Sequence, residues 1–244
     1  MAVIGIIGLA GSGKDTLCNA LLKQLPGFSR YAYADPLKEF TMCVLPLNRQ
    51  QCYDVVAKET EIEFVIDHNK LKQAFELWFS TIAPCYIITH RSPEYYFQAF
   101  MGALSTEYKT KNAWWVADIL ALLGINHDYV FKTTPRKLLQ LIGTDFFRRH
   151  VDENFWINLA PKSNIIVSDV RFENEIDHIL HNDGIMVKIV DPALNEISSS
   201  SHVSESLSKQ DIECDITVIN DKTKGIEALD ASAALIINKL KNKW

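Results

Sequence analysis

Gly8-Leu9-Ala10-Gly11-Ser12-Gly13-Lys14-Asp15-Thr16 links two segments of opposite character. Residues 2–8 before it form a continuous apolar run, which reads as a buried strand. Residues 14–25 after it carry Leu17, Leu21 and Leu25 on one face of an amphipathic helix. Glycines at 8, 11 and 13 let the backbone wrap tightly and turn its N–H groups toward an anion. The helix start adds partial positive charge, and Lys14 adds a full one. A glycine-rich turn ending in lysine, set between a strand and a helix, predicts a phosphate-binding loop for a nucleoside triphosphate. Asp15 stands where the common pattern has a hydroxyl, and the hydroxyl is displaced to Thr16.

Working outward, both ends of the chain alternate strand and helix, as a parallel sheet with covering helices does. A second strand is expected over 29–34. Asp35-Pro36 then supplies an N-cap and a first-turn proline for a helix over 37–44. Toward the C-terminus we expect a strand over 164–168, a helix over 172–182, a turn at Asp183-Gly184, strands over 185–190 and 215–219, and a closing helix over 225–241. Between residues 46 and 133 this rhythm stops. Helix-length stretches rich in aromatics replace it, over 71–82, 94–108 (after Ser92-Pro93) and 113–123. Tyr95, Tyr96, Phe97, Trp114 and Trp115 are read mainly as core, with ligand contact as the alternative. The fold class is α/β, a three-layer P-loop NTPase with a parallel sheet flanked by helices. We expect one domain over 1–244, its core at 1–45 and 134–244, with a mostly helical insertion at 46–133 packed on one side of the sheet.

Composition narrows the class further. The chain has 244 residues, 48% apolar and 23% charged, which is globular and neither disordered nor coiled-coil. Its net charge of −5 argues against direct nucleic-acid binding or an anionic membrane surface. No apolar run approaches the roughly 20 residues a spanning helix needs. Met1 leads straight into a strand-like segment without a basic leader. The five cysteines (Cys18, Cys43, Cys52, Cys85 and Cys214) are scattered and never spaced Cys-x-x-Cys, which favours reduced thiols and a cytoplasmic location.

Further constellations concern charge. Residues 165–169 form an apolar strand ending in Asp169, where nucleotide-binding sheets place an acid near Mg²⁺. The competing reading of Asp169 is a helix N-cap. Arg171 follows and is suited to neutralising phosphoryl charge, or else to pairing with Glu175 one turn on. Lys38 lies in a first helical turn, which the dipole disfavours unless an anion is near. Arg136, Lys137, Arg148 and Arg149 crowd fourteen positions after the Thr134-Pro135 start signal. Phosphoryl transfer between two anions needs such convergence, and Arg136 and Arg148 are the candidates, a solvated helix face being the alternative. The polar stretch 191–204, with Ser198–Ser201 and His202-Val203-Ser204-Glu205, reads as a flexible lid or a surface linker.

Several pieces taken together resemble the deoxynucleoside monophosphate kinases of tailed bacteriophages. They are Ser12-Gly13-Lys14-Asp15-Thr16 (the Gly-Lys-x-Thr form of nucleoside monophosphate kinases), Asp35-Pro36-Leu37-Lys38, Arg136 through Gly143-Thr144-Asp145, Trp156, Asp169-Val170-Arg171 with Glu175, and residues 202–205. The resemblance implies an enzyme, often dimeric, that moves the γ-phosphoryl of ATP onto a deoxynucleoside 5′-monophosphate with Mg²⁺, for dNTP synthesis in phage replication. It implies ATP contacts from Gly11, Ser12, Gly13, Lys14, Asp15 and Thr16, and acceptor contacts from Lys38, Arg136, Gly143, Thr144, Trp156, Arg171 and Glu175. Lys14, Arg171 and Asp169 would carry the catalysis, with Thr16 and Asp169 at the metal.

Two other readings stay open at the level of sequence. Ser-Gly-Lys-Asp with Pro-Leu-Lys and a strand-end Asp-x-Arg also resembles animal-type phosphomevalonate kinases, and dephospho-coenzyme A is another candidate acceptor. A non-catalytic nucleotide-binding module would leave the remaining cationic clusters without a role. Asn-Lys-x-Asp and Ser-Gly-Gly-Gln, which a GTPase and a transporter-type ATPase would carry, are absent from the chain.

Overall fold

The computed structural model describes residues 2–82, 91–110, 128–195, 214–225 and 227–243. Its strands are β1 (Val3–Ile7), β2 (Ser29–Tyr31), β3 (Ile62–Asp67), β4 (Tyr108–Thr110), β5 (Asp128–Thr133), β6 (Ile165–Val167), β7 (Ile185–Val190) and β8 (Ile216–Ile219). The chain divides into two compact units, Met1–Tyr33 with Ile157–Trp244, and Ala34–Trp156.

The first unit is the expected α/β layer structure. Its sheet has the order β2-β6-β1-β7-β8, and every pairing is parallel. Parallel strands covered on both faces should be apolar throughout, and all of β1 and β6 is buried. Helix Lys14–Gln24 packs Leu17, Cys18 and Leu21 into this core, together with Leu229, Ala233, Ile236 and Leu240 of helix Glu227–Lys243. Fully burying a leucine at such a position contributes about 1.5–3 kcal/mol. Because the strands run parallel, their carboxyl ends share one edge. At the β6 end, Ser168 N–H donates to Tyr31 O and Val170 N–H to Ile6 O, so β1 and β6 deliver their following loops side by side.

The second unit is helical around an aromatic core. Helix Ala34–Val44 contributes Phe40, helix His68–Ile82 Phe75 and Phe79, and helix Pro93–Ala103 Phe97 and Phe100. Phe146 and Phe147 complete the cluster, with Phe40–Phe147 and Phe75–Phe100 centroids 5.0 and 5.1 Å apart. Tyr96 and Phe97 are buried as expected, whereas Tyr95 is exposed. The unit also holds an antiparallel sheet, β3-β5-β4, that the sequence reading did not foresee. Helix Pro93–Ala103 accordingly stops short of the expected 94–108, because Tyr108 is taken by β4. Helix Ala34–Val44 starts earlier than expected, so Asp35 lies in its first turn and is not the N-cap, and β2 ends at Tyr31. The expected helix over 113–123, with Trp114 and Trp115, lies outside the described residues, as do Cys85 and 196–205. The four described cysteines are free thiols, and no described helix is long and apolar enough to cross a membrane.

One buried carboxylate in this unit carries a stability prediction. Glu107 is buried and accepts from Thr106 Oγ1 (2.7 Å) and Thr133 Oγ1, with Lys137 Nζ 2.6 Å away. Burial pushes its carboxyl up, but Lys137, Thr133 and Thr106 outweigh that and hold it below the ordinary value. A lowered folded-state pKa contributes stability above the unfolded pKa, lost as pH falls through the folded one. Glu107→Gln should therefore lower stability at neutral pH by about 2 kcal/mol and reduce the acid-side loss, both read from urea melts across pH.

Candidate active site

The loop between β1 and helix Lys14–Gln24 folds as its glycines require. Gly11 and Gly13 sit at φ of 77° and 100°, a left-handed region that a side chain would strain. Gly13 is the helix N-cap and, being glycine, brings no side-chain cap. The first-turn N–H groups are thus left for an anion, the arrangement of helix-start phosphate sites. Lys14 curls back over the loop, its Nζ donating to Gly8 O and Leu9 O at 2.7 Å each. Ser12 is buried and its Oγ meets no hydrogen-bond partner among the described residues. Thr16 is half-buried on the first helical turn, whereas Asp15 turns outward, 3.4 Å from Arg30.

Next to this loop, at the end of β6, stand Ser168 and Asp169. Ser168 is buried, its Oγ without a hydrogen-bond partner among the described residues. Asp169 Oδ1 accepts from Tyr33 N–H at 2.8 Å, pinning the chain just after β2. The N-cap of helix Glu173–His181 is Phe172, so the capping alternative for Asp169 falls away. Glu175 is buried on that helix, and its Oε2 accepts from Arg171 N–H (2.7 Å) and Phe172 N–H (3.2 Å). Glu175 therefore meets Arg171 through the backbone, not through the salt bridge considered from sequence. Thr16, Ser12, Ser168 and Asp169 offer hydroxyls and a single carboxylate. Such hard oxygen donors suit Mg²⁺, which keeps several waters and takes further ligands from phosphate.

In the second unit, Lys38 is nearly buried. Its Nζ lies 2.9 Å from Asp35 Oδ1 and 4.3 Å from the Tyr53 ring centroid. The anion that its place in the first turn called for is thus Asp35 in the first instance. Tyr53 lies on helix Arg49–Tyr53, stacked under the Arg49 guanidinium at 4.4 Å, and its hydroxyl donates to Glu39. Burial, reinforced by Asp35 and Glu39, pushes the Tyr53 phenol up to about 12, so it stays a neutral donor. Sequence reading missed Tyr53, whose surroundings carry no motif.

The four basic residues between 136 and 149 separate clearly. Arg136, half-buried on helix Pro135–Gln140, pairs with Glu59. Lys137 is held by buried Glu107. Arg149 pairs with Asp145 on an exposed face, and Arg148 donates to Glu153 O at 3.0 Å. From Leu141 to Val151 the helix widens to π geometry, a form frequent at functional sites. Gly143 lies there with Leu37 close against it, a Cβ at that position coming within 2.7 Å of Leu37 Cδ2. Its carbonyl accepts from buried Trp156 Nε1 at 3.3 Å. Gly143 thus ties together the Lys38 helix and Trp156, with half-buried Thr144 beside it.

A family model described as deoxynucleotide monophosphate kinase matches residues 2–232. The chain is similar to the deoxynucleoside-5′-monophosphate kinase of Escherichia phage T5, 25% identical over 232 residues, covering 84% of each chain. It is also similar to a protein of Acanthamoeba polyphaga mimivirus provisionally named a deoxynucleotide monophosphate kinase, 24% identical over 241 residues, covering 91% of this chain and 90% of that one.

Proposed function

The chain belongs to the deoxynucleotide monophosphate kinase family, and on that premise we propose how its residues carry the transfer from ATP to a deoxynucleoside 5′-monophosphate. The phosphate loop binds the donor, with backbone N–H groups of Gly11 and of Gly13 to Thr16 around the phosphates, Ser12 N–H being held by Leu9 O at 3.1 Å, and Lys14 on the transferred group. The observation that carries this reading is Lys14 folded over a loop of left-handed glycines at an uncapped helix start. Thr16 and Asp169 hold Mg²⁺, which when bound neutralises phosphate charge. Arg171 offers a guanidinium to the same charge. Acceptor recognition falls to Lys38, Arg136, Gly143, Thr144 and Trp156, with Arg171 and Glu175, as the resemblance implies.

The acceptor phosphate oxygen is already anionic and attacks in line, so the reaction needs neither a covalent intermediate nor a strong base. Catalysis is then positioning and charge neutralisation. We place the enzyme in the cytoplasm of an infected cell, feeding dNTP synthesis for phage replication, as a homodimer acting on small molecules and not on nucleic acid. The phage T5 relative and the net charge of −5 support that setting.

A coupled ADP-release assay with ATP, Mg²⁺ and a panel of dGMP, dTMP, dCMP, dAMP, the ribonucleotides and phosphomevalonate tests the assignment. Turnover is expected with one or more deoxynucleotides. Activity confined to phosphomevalonate would keep the donor site and remove the acceptor assignment, and ATP binding without any turnover would return the chain to a binding module.

A further inference from the structure

β8 ends, like β6, in a polar residue at the carboxyl edge of the sheet, and that residue is Asn220. It is buried, and its backbone N–H donates to Val190 O at 2.8 Å, fixing it against the end of β7. Its carboxamide reaches across to the phosphate loop, where Nδ2 donates to Ser12 O at 2.8 Å. The approach is close enough that a Cβ at Gly13 would lie 2.4 Å from that nitrogen. The turn after β8 is itself braced. Asp221 Oδ1 accepts from Thr223 N–H at 3.0 Å, and Lys222 pairs with Asp191 at 2.8 Å, so Asn220 projects from a fixed base.

From this geometry we propose that Asn220 is a positioning residue for the phosphoryl donor, acting through the peptide between Ser12 and Gly13. The proposal rests on the phosphate-loop reading of residues 8–16. A trans peptide is planar, with its C=O and N–H pointing in opposite directions. Anchoring the Ser12 oxygen therefore fixes the direction of the Gly13 N–H, at the one point where two flanking glycines leave the backbone free to rotate. Without the anchor, that peptide gains orientations in which its N–H faces away from the bound phosphates. Donor binding then has to select one orientation among several, and affinity falls by the fraction competent. The effect is specific to the donor, because among the described residues the hydrogen bonds of Asn220 go to Ser12 and Val190, neither of them assigned to the acceptor.

Asn220→Ala tests this, and Asn220→Leu repeats the test with the side-chain volume kept and the donor removed. Both are expected to raise the KM for ATP about tenfold, as loss of one hydrogen bond plus reorientation should, while the KM for the preferred deoxynucleotide stays within about twofold. ADP should also raise the melting temperature of either variant less than it raises that of the wild type. A variant with lowered melting temperature but wild-type KM for ATP and a wild-type ADP shift would overturn the proposal, since Asn220 would then only stabilise the fold. Equal rises in both KM values would overturn it too. Lys14→Ala, run in parallel, separates the two claims: full activity there removes the loop reading and this inference together, whereas an inactive Lys14→Ala beside an unaffected Asn220 variant removes this inference alone.

Discussion

Lys14→Ala should cut kcat by about a thousandfold and leave the far-UV circular dichroism and the urea midpoint close to wild type. Lys14 sits on the first turn of helix Lys14–Gln24, whose packing is supplied by Leu17, Cys18 and Leu21. The helix does not need the lysine to fold. What Lys14 adds is a cation already drawn over the loop by two carbonyls at 2.7 Å. Charge on the γ-phosphoryl group redistributes as its bond to the β-phosphate breaks, and a fixed cation stabilises that arrangement more than the ground state. The loss should therefore fall mainly on kcat, with a smaller rise in the KM for ATP. Stopped assays of ADP formation resolve turnover far below wild type. Activity within a few-fold of wild type would remove the donor-site assignment.

Asp169→Asn should lower kcat by about a hundredfold at a fixed Mg²⁺ concentration, with part of the loss recovered as Mg²⁺ is raised. The substitution is chosen because Oδ1 accepts from Tyr33 N–H at 2.8 Å. An asparagine can keep that bond through its own carbonyl oxygen, so the tie after β2 survives while the negative charge is lost. Asp169→Ala would remove both and should also lower stability by about 1–2 kcal/mol. If Asp169 served only to pin Tyr33, the asparagine variant would retain wild-type turnover at every Mg²⁺ concentration. The Mg²⁺ titration thus separates a metal-facing carboxylate from a structural one.

The first unit was largely legible from sequence because its signals are local. Glycine spacing, apolar strands of three to six residues and leucines at helical spacing are each visible in one short window, and β1, β6, β7 and their helices follow. The antiparallel sheet of the second unit was not read. Its strands lie within a segment dominated by aromatics, which reads as helical core. Ile62-Glu63-Phe64-Val65-Ile66-Asp67 carries the β-branched and aromatic content of a strand, and a period-two count there could have found it.

Site residues divide the same way. Lys14 is legible because it follows a glycine-rich loop at a helix start, and Asp169 because it follows the end of an apolar strand. Asn220 offered that signal too, a polar residue closing Val218-Ile219, but a neutral amide attracts less notice than an acid. Tyr53 reaches Lys38 only through the packing of two helices, and no spacing rule encodes that contact. Glu175 was assigned to the acceptor on resemblance, whereas its Oε2 also holds two backbone N–H groups, an occupation that only coordinates reveal.

The ion pair between Lys38 and Asp35 makes the lysine a conditional attractor. Seen from a distance, an ammonium 2.9 Å from a carboxylate is a small dipole, so it draws in passing anions weakly. A ligand gains from Lys38 only by outbidding Asp35 at contact, and the ligand best able to do so carries two negative charges on one compact group. A phosphate monoester meets that condition at neutral pH. A nucleoside without a phosphate does not, and a diester with its single spread charge meets it poorly. On the acceptor role proposed for Lys38, the pair would set a threshold on charge density, telling a monophosphate apart from its uncharged parent and from a nucleotide already built into a chain.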